Sequence, residues 1–179
     1  LFRSLSPNYG LGRICMDFLK NQEKCTSGSG TPTVALWGDS FGMHFVQVLQ
    51  SSKTQATFIT QTKSTCAPII GFAPKLSNSS IEWAAQCNAV NSKFKKYLLA
   101  SGIKTVILAS NWSNSIGTDR VLVDSKGHRH SAGNIAVQAL QKNIADLKSA
   151  GLRVVVLLNP PTNGKDLGAC LESSIAYGY

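Results

Sequence analysis

The sequence predicts an α/β domain: a three-layer α/β/α sandwich with a parallel sheet, flavodoxin-like in its winding. Three observations predict it. Short apolar runs alternate with longer stretches whose apolar residues recur at helical spacing. The runs are apolar throughout rather than every second residue, the pattern of strands buried on both faces. The chain has 179 residues, enough for one domain that buries roughly 70% of its unfolded surface.

Residues 1–30 read as a polar lead-in punctuated by Gly and Ser, with a short helix near Ile14–Lys20. The first strand is Thr33–Trp37. A helix follows over Phe41–Ser51, with Phe41, Phe45, Val48 and Leu49 at helical spacing. Ala56–Gln61, rich in β-branched residues, is the second strand, and Cys66–Ser79 is loop. A long helix spans Ser80–Ser101, with Ser79 or Ser80 as cap, Glu82 in its first turn and Gly102 past its end. Thr105–Ala109 is the third strand. Val121–Val123 and Arg129–His130 flank Asp124–Gly127 as a small hairpin. A helix over Ala132–Ala150 places Ile135, Ala139, Ile144 and Leu147 on one face, and Arg153–Leu158 is the fourth strand. Right-handed crossovers between parallel strands put ligands beyond the strands' carboxyl ends. Ser40 and the Ala109–Trp112 segment both fall at such ends.

Composition narrows the class. Hydrophobic residues make up 43% and charged residues 15%, which are globular values. No window reaches the ~18 apolar residues of a membrane helix. Leu1-Phe2-Arg3-Ser4 lacks the organisation of a signal peptide, so a mature or excised domain is expected. The net charge is +9, but Lys and Arg are scattered and no basic run interleaves with aromatics, which argues against nucleic acid. Five cysteines suit an oxidising compartment. Cys15 and Cys25 can close one loop and Cys66 and Cys87 another, which leaves Cys170. No C-x-x-C pair or His/carboxylate ligand spacing occurs, so no metal site is expected.

The chemistry centres on Val34-Ala35-Leu36-Trp37-Gly38-Asp39-Ser40-Phe41-Gly42-Met43-His44. A strand here delivers a serine hydroxyl to a tight turn at a helix N-terminus, where free N–H groups favour developing negative charge. The plainer alternative is a strand-to-helix turn with Ser40 as the capping residue. A serine hydroxyl needs a base to become a nucleophile, and the base needs an orienting carboxylate. Asp39 should point away from Ser40 and hold the turn or a neighbouring loop. His44 lies one helical turn on and should lean back toward Ser40, to tune the site or bind substrate, or else to pack the helix. His128 and His130 lie in the hairpin, folded over the site or solvated.

The strand-Gly-Asp-Ser-helix block resembles the first block of the SGNH (GDSL-type) hydrolase and acyltransferase family, whose nucleophile falls on Ser40. The family's Gly-x-Asn-Asp block is matched in part by Ala109-Ser110-Asn111-Trp112, and its oxyanion-binding asparagine falls on Asn111. Trp112 stands in place of the aspartate and is a candidate for substrate binding or site tuning. The family's third oxyanion donor, a glycine N–H after the second strand, corresponds to Gln61–Ser64, where Ser64 is the candidate.

Pro7-Asn8-Tyr9-Gly10-Leu11, the spaced Cys15 and Cys25, Leu36–Ser40 with Met43-His44, Cys66-Ala67-Pro68 and Val106–Ala109 with Trp112 occur in order. Together they resemble the periplasmic SGNH domain fused to membrane acyltransferase-3 proteins. That resemblance divides the chain into a disulfide-pinned extension, 1–30, and an SGNH-type domain, 31–179. It implies an O-acetyltransferase that moves an acetyl group through Ser40 onto a polysaccharide hydroxyl, lipopolysaccharide O-antigen foremost. The fused membrane domain would supply the acetyl group, ultimately from acetyl-CoA, with no other cofactor. An esterase on the same serine and a non-catalytic glycan-binding module are the alternatives. The family's D-x-x-H block, which carries its Asp and His, does not occur in this sequence. The domain is therefore expected to be C-terminally incomplete and, by itself, inactive.

Overall fold

The computed structural model describes residues 8–52, 56–75 and 80–159. Its main sheet has five strands in the order β1-β3-β2-β5-β8: β1 (Thr26–Ser27), β2 (Val34–Gly38), β3 (Phe58–Thr62), β5 (Thr105–Ala109) and β8 (Arg153–Leu157). The four longer strands are parallel and run 2-1-3-4 in their own sequence order, the flavodoxin-like winding. The short β1 departs from the all-parallel expectation, because Thr26 and Ser27 pair antiparallel with Ile59 and Phe58 at the sheet edge. Gly38 of β2 stands opposite Thr62 of β3 and Ala109 of β5, so three carboxyl ends form one level rim.

Side chains alternate across β2 and define two cores. Ala35 and Trp37 join Val106, Leu108, Phe94, Leu98 and Leu147 on one face. Leu36 joins Phe58, Val46 and Ala109 on the other. The first face is covered by α3 (Ile81–Ala100) and α5 (Asn134–Ser149), which contribute Phe94, Leu98 and Leu147. On α3 the inward stripe is Ala84, Cys87, Asn91, Phe94 and Leu98, three and four residues apart in turn. Ser80 caps this helix by accepting a hydrogen bond from Trp83 N–H at 3.1 Å, as its sequence predicts. On α5 the fully buried positions are Ala136, Asn143 and Leu147, with Ile135, Ala139 and Ile144 half-buried beside them.

Three local features differ from the sequence reading. The helix expected over Phe41–Ser51 is two: α1 (Ser40–His44) and α2 (Val46–Ser51). Phe45 between them, at φ −83° and ψ −8°, donates its N–H to Gly42 in a tightened turn at 3.0 Å. The loop Cys66–Ser79 contains a strand, β4 (Phe72–Pro74), which pairs with β6 (Val121–Asp124). With β7 (Arg129–Ser131) these make a second antiparallel sheet in the order β4-β6-β7. Pro74 hides β4 from sequence reading, yet proline is tolerated on an edge strand. A four-residue helix, α4 (Ser113–Ile116), follows β5 and is too short to leave a periodicity.

The N-terminal segment is stitched into the domain. Phe18 packs edge-on against Phe94 and Tyr97, with ring centroids 5.4 and 5.0 Å apart. The buried amide of Gln61 on β3 accepts from Phe18 N–H at 2.8 Å and donates to Met16 C=O at 2.9 Å. Both expected disulfides are present: Cys15–Cys25, with Cα atoms 5.4 Å apart, and Cys66–Cys87, at 5.7 Å. Cys170 lies outside the described residues, as do all residues from 160 on.

Candidate active site

Ser40 emerges directly from β2. The turn is built on Gly38, because a Cβ at that position would collide with the Ala109 carbonyl, its carbon only 2.8 Å away. Asp39, 2% exposed, is the true cap: its Oδ1 accepts the N–H of Phe41 at 2.8 Å. Ser40 is therefore the first helical residue, and the cap of this strand-to-helix turn is Asp39. Its hydroxyl has no hydrogen-bond partner among the described residues and is partly exposed at the rim.

Asp39 points away from Ser40, as expected, and its other oxygen reaches the neighbouring strand end. Oδ2 accepts the Ser110 hydroxyl at 2.7 Å and the Asn111 N–H at 2.9 Å. Asp39 N–H also donates to Ala109 C=O at 3.2 Å. One buried carboxylate thus fixes the turn that carries Ser40 and the turn that carries Asn111. The Asn111 side chain is held by its oxygen, which accepts from Ser113 Oγ at 2.6 Å and from Asn159 Nδ2 at 2.9 Å. Its Nδ2 has no partner among the described residues. A cleft of about 450 Å³ opens here, lined by Phe41, Asn111, Trp112, Ile116, Leu158 and Asn159 among others.

Ser64 follows the same rim on the β3 side. Lys63 N–H donates to Gly38 C=O at 3.1 Å, which ties this loop to the Ser40 turn. The next residue, Thr65, has φ +59°, a left-handed conformation that a β-branched residue rarely adopts. Such strain concentrates at functional sites. His44 is exposed, and its ring leans back along α1 to lie 6.4 Å from the Phe41 ring. Trp112 is 6% exposed and packs into the main core, while its indole N–H donates to Leu157 C=O at 2.7 Å. It staples the ends of β5 and β8 as well as lining the cleft.

His128 and His130 are held on the second sheet. Both rings meet Asp124 Oδ2, at 3.2 and 3.0 Å, and His130 packs edge-on against Phe72. Sequence reading missed Ser110, Ser113 and Asn159. Ser110 lies in the segment just after β5 and Ser113 opens the four-residue α4, and neither has a pattern to single it out. Asn159 precedes Pro160-Pro161, where it reads as a strand breaker. Its contact with Asn111 spans 48 residues and leaves no local trace.

A hydroxyl and an amide donor on adjacent strand ends, beside an open cleft, form an arrangement suited to acyl transfer at a carbonyl carbon. Comparison with curated proteins and with solved structures gave no match. A family model described as the SGNH domain fused to AT3 domains matches residues 14–177. With that match across nearly its whole length, on a parallel sheet carrying Gly-Asp-Ser at its rim, the chain belongs to the SGNH domain family found fused to AT3 domains.

Proposed function

We propose that this chain is the soluble acyl-transfer unit of a membrane O-acetyltransferase, with Ser40 as nucleophile and a bacterial surface polysaccharide, lipopolysaccharide O-antigen foremost, as acceptor. The family's fusion to AT3 domains supports this reading; in it the AT3 domain is the membrane component and supplies the acetyl group on the periplasmic side. Two disulfides suit that oxidising compartment. No described helix is long and apolar enough to cross a membrane.

The chemistry runs in two halves. Ser40 Oγ attacks the acetyl carbonyl, and the donor leaves with the proton returned by the base. Asn111 Nδ2–H and a backbone N–H at Ser64 hold the oxyanion. One such side-chain donor contributes roughly 3 kcal/mol to the transition state. A sugar hydroxyl, deprotonated in turn, then takes the acetyl group from Ser40. In this family the base is a histidine of a D-x-x-H block, which this sequence does not contain, so both proton transfers need a base from elsewhere in the full-length protein. None of the three histidines here stands in such a block: His44 faces Phe41, and His128 and His130 face Asp124. Trp112 lines the acceptor cleft, and His44, beside Phe41 on α1, is the further candidate for binding substrate or tuning the site.

The observation that carries this reading is the Asp39 clamp between the Ser40 and Asn111 turns. The test uses the full-length protein with 4-nitrophenyl acetate as donor. An acetylated peptide containing Ser40, absent in Ser40→Ala, supports the nucleophile. Faster loss of that acetyl group when polysaccharide is added supports transfer. Loss at the same rate with and without glycan makes the protein an esterase. Glycan binding without any acetyl-enzyme makes it a binding module.

A further inference from the structure

Asn159 stands two residues beyond the last paired position of β8, where Leu157 faces Ala109. Its side chain spans the end of β5. Oδ1 accepts the Trp112 N–H at 3.1 Å, and Nδ2 donates to Asn111 Oδ1 at 2.9 Å. Ser113 Oγ donates to that same Asn111 oxygen at 2.6 Å. The oxygen and nitrogen of an asparagine amide are assigned by the network they sit in, and here the network is decisive. A backbone N–H only donates, so the Asn159 atom facing Trp112 must be its oxygen. The atom facing Asn111 is then an NH₂ group, which only donates. Asn111 must answer with its own oxygen.

We infer that Asn159, helped by Ser113, is a positioning residue that sets the polarity of the Asn111 amide. With both bonds on Oδ1, Nδ2 is the end left over, and Asn111 lines the cleft. The acidic neighbour expected beside this asparagine is absent, because Trp112 occupies its place and is tied by its indole N–H to Leu157 C=O. The orientation is instead relayed from a backbone N–H, through one asparagine, to the next. A donor preset in this way needs no reorientation as the oxyanion forms, which is where such donors act. The inference rests on the acyl-transfer reading and names the residue that makes its oxyanion donor a donor.

Asn159→Asp tests it, because the shape is kept and the polarity reversed. An ionised carboxylate offers acceptors to Asn111, whose amide then turns Nδ2 inward and away from the cleft. In the full-length protein, with 4-nitrophenyl acetate as probe, Asn159→Asp should lower kcat by ~10²-fold with KM within about twofold. The ratio to wild type should recover as the pH falls toward about 4 and the carboxyl group protonates. In an Asn111→Ala background the same substitution should be silent. Wild-type kcat in Asn159→Asp overturns the inference. So does an equal loss in the Asn111→Ala background, which would make the effect one of charge alone. If Ser40→Ala keeps full turnover, the acyl-transfer reading itself has failed. The amide polarity is then judged on the Asn111 side-chain ¹⁵N–¹H signals. They should move in Asn159→Asp at an unchanged melting temperature, and unmoved signals overturn the inference.

Discussion

Asp39 and Asp124 are both carboxylates at the end of a strand, and both open a turn, yet they build different things. Asp39, buried at the rim, gathers Phe41 N–H from its own turn and two donors from 71 and 72 residues away. Asp124, on the second sheet, gathers the N–H groups of Lys126 and His128 and both histidine rings, none more than six residues distant. A local hub closes a hairpin that the chain would form in much the same way elsewhere. A long-range hub ties together two turns on paired strand ends that lie far apart in sequence. The consequences of removing each should scale with burial and with the distance spanned.

The largest effect is expected at Asp39. Replacing it with Ala strands three buried or half-buried donors and removes the clamp between the two turns. We expect a loss of about 3–5 kcal/mol in urea unfolding, with Ser40→Ala, which breaks no hydrogen bond, close to wild type. Should Asp39→Ala unfold at the wild-type urea concentration, the clamp is dispensable. The strand register at Gly38 and Ala109 would then align the site unaided.

A second long-range hub, Asn91, lies inside the core and tests whether burial or charge sets the magnitude. Its amide accepts the Trp37 indole N–H at 2.8 Å and donates to Ala67 C=O at 2.7 Å. Asn91→Ala leaves both groups buried and unmatched and should cost about 2–4 kcal/mol. A loss equal to that of Asp39→Ala would mean that burial alone decides. A neutral outcome would mean that water enters to replace the amide.

This contrast also explains what could be read from the chain. The alternation of strands and helices, the cap at Ser80 and the Asp124–Gly127 turn are set by neighbours in sequence, and they were legible; the end of α3 was not, because Ser101 in extended backbone closes it and Gly102 takes no left-handed cap conformation. So was the Ser40 turn, because a strand, three small or polar residues and a helix start are contiguous. β4 was not, since Pro74 and the glycine of Gly71 read as loop while its pairing comes from Val121–Asp124, some fifty residues on. The break at Phe45 was not, because Phe41, Phe45, Val48 and Leu49 keep helical spacing through it. Asn91 sits in an otherwise apolar stripe and reads as an interruption, where the fold uses it to satisfy Trp37. The relay through Asn159 needs the three-dimensional adjacency of β5 and β8, and short polar residues in turns carry no signal of it.

The smallest effect belongs to Asp124, and its pH dependence separates it from the rim. The hydrogen bond from His130 is the chief cause that holds this carboxyl well below the usual carboxylate range; desolvation opposes it, and the hydrogen bonds from His128 and Lys126 add to the lowering. The folded chain therefore binds fewer protons at this group than the unfolded chain does. Its stabilisation is fully present above the unfolded value, near pH 4, and is lost as the pH falls below that toward the folded value. Asp124→Asn should melt slightly below wild type at neutral pH, by less than Asn91→Ala, and the gap should narrow as the pH drops under about 4. Thermal melts of the two proteins across that range decide it. A gap that stays constant would show that the hairpin draws on the shape of Asp124 and not on its charge, and the contrast with Asp39 would then be one of burial alone.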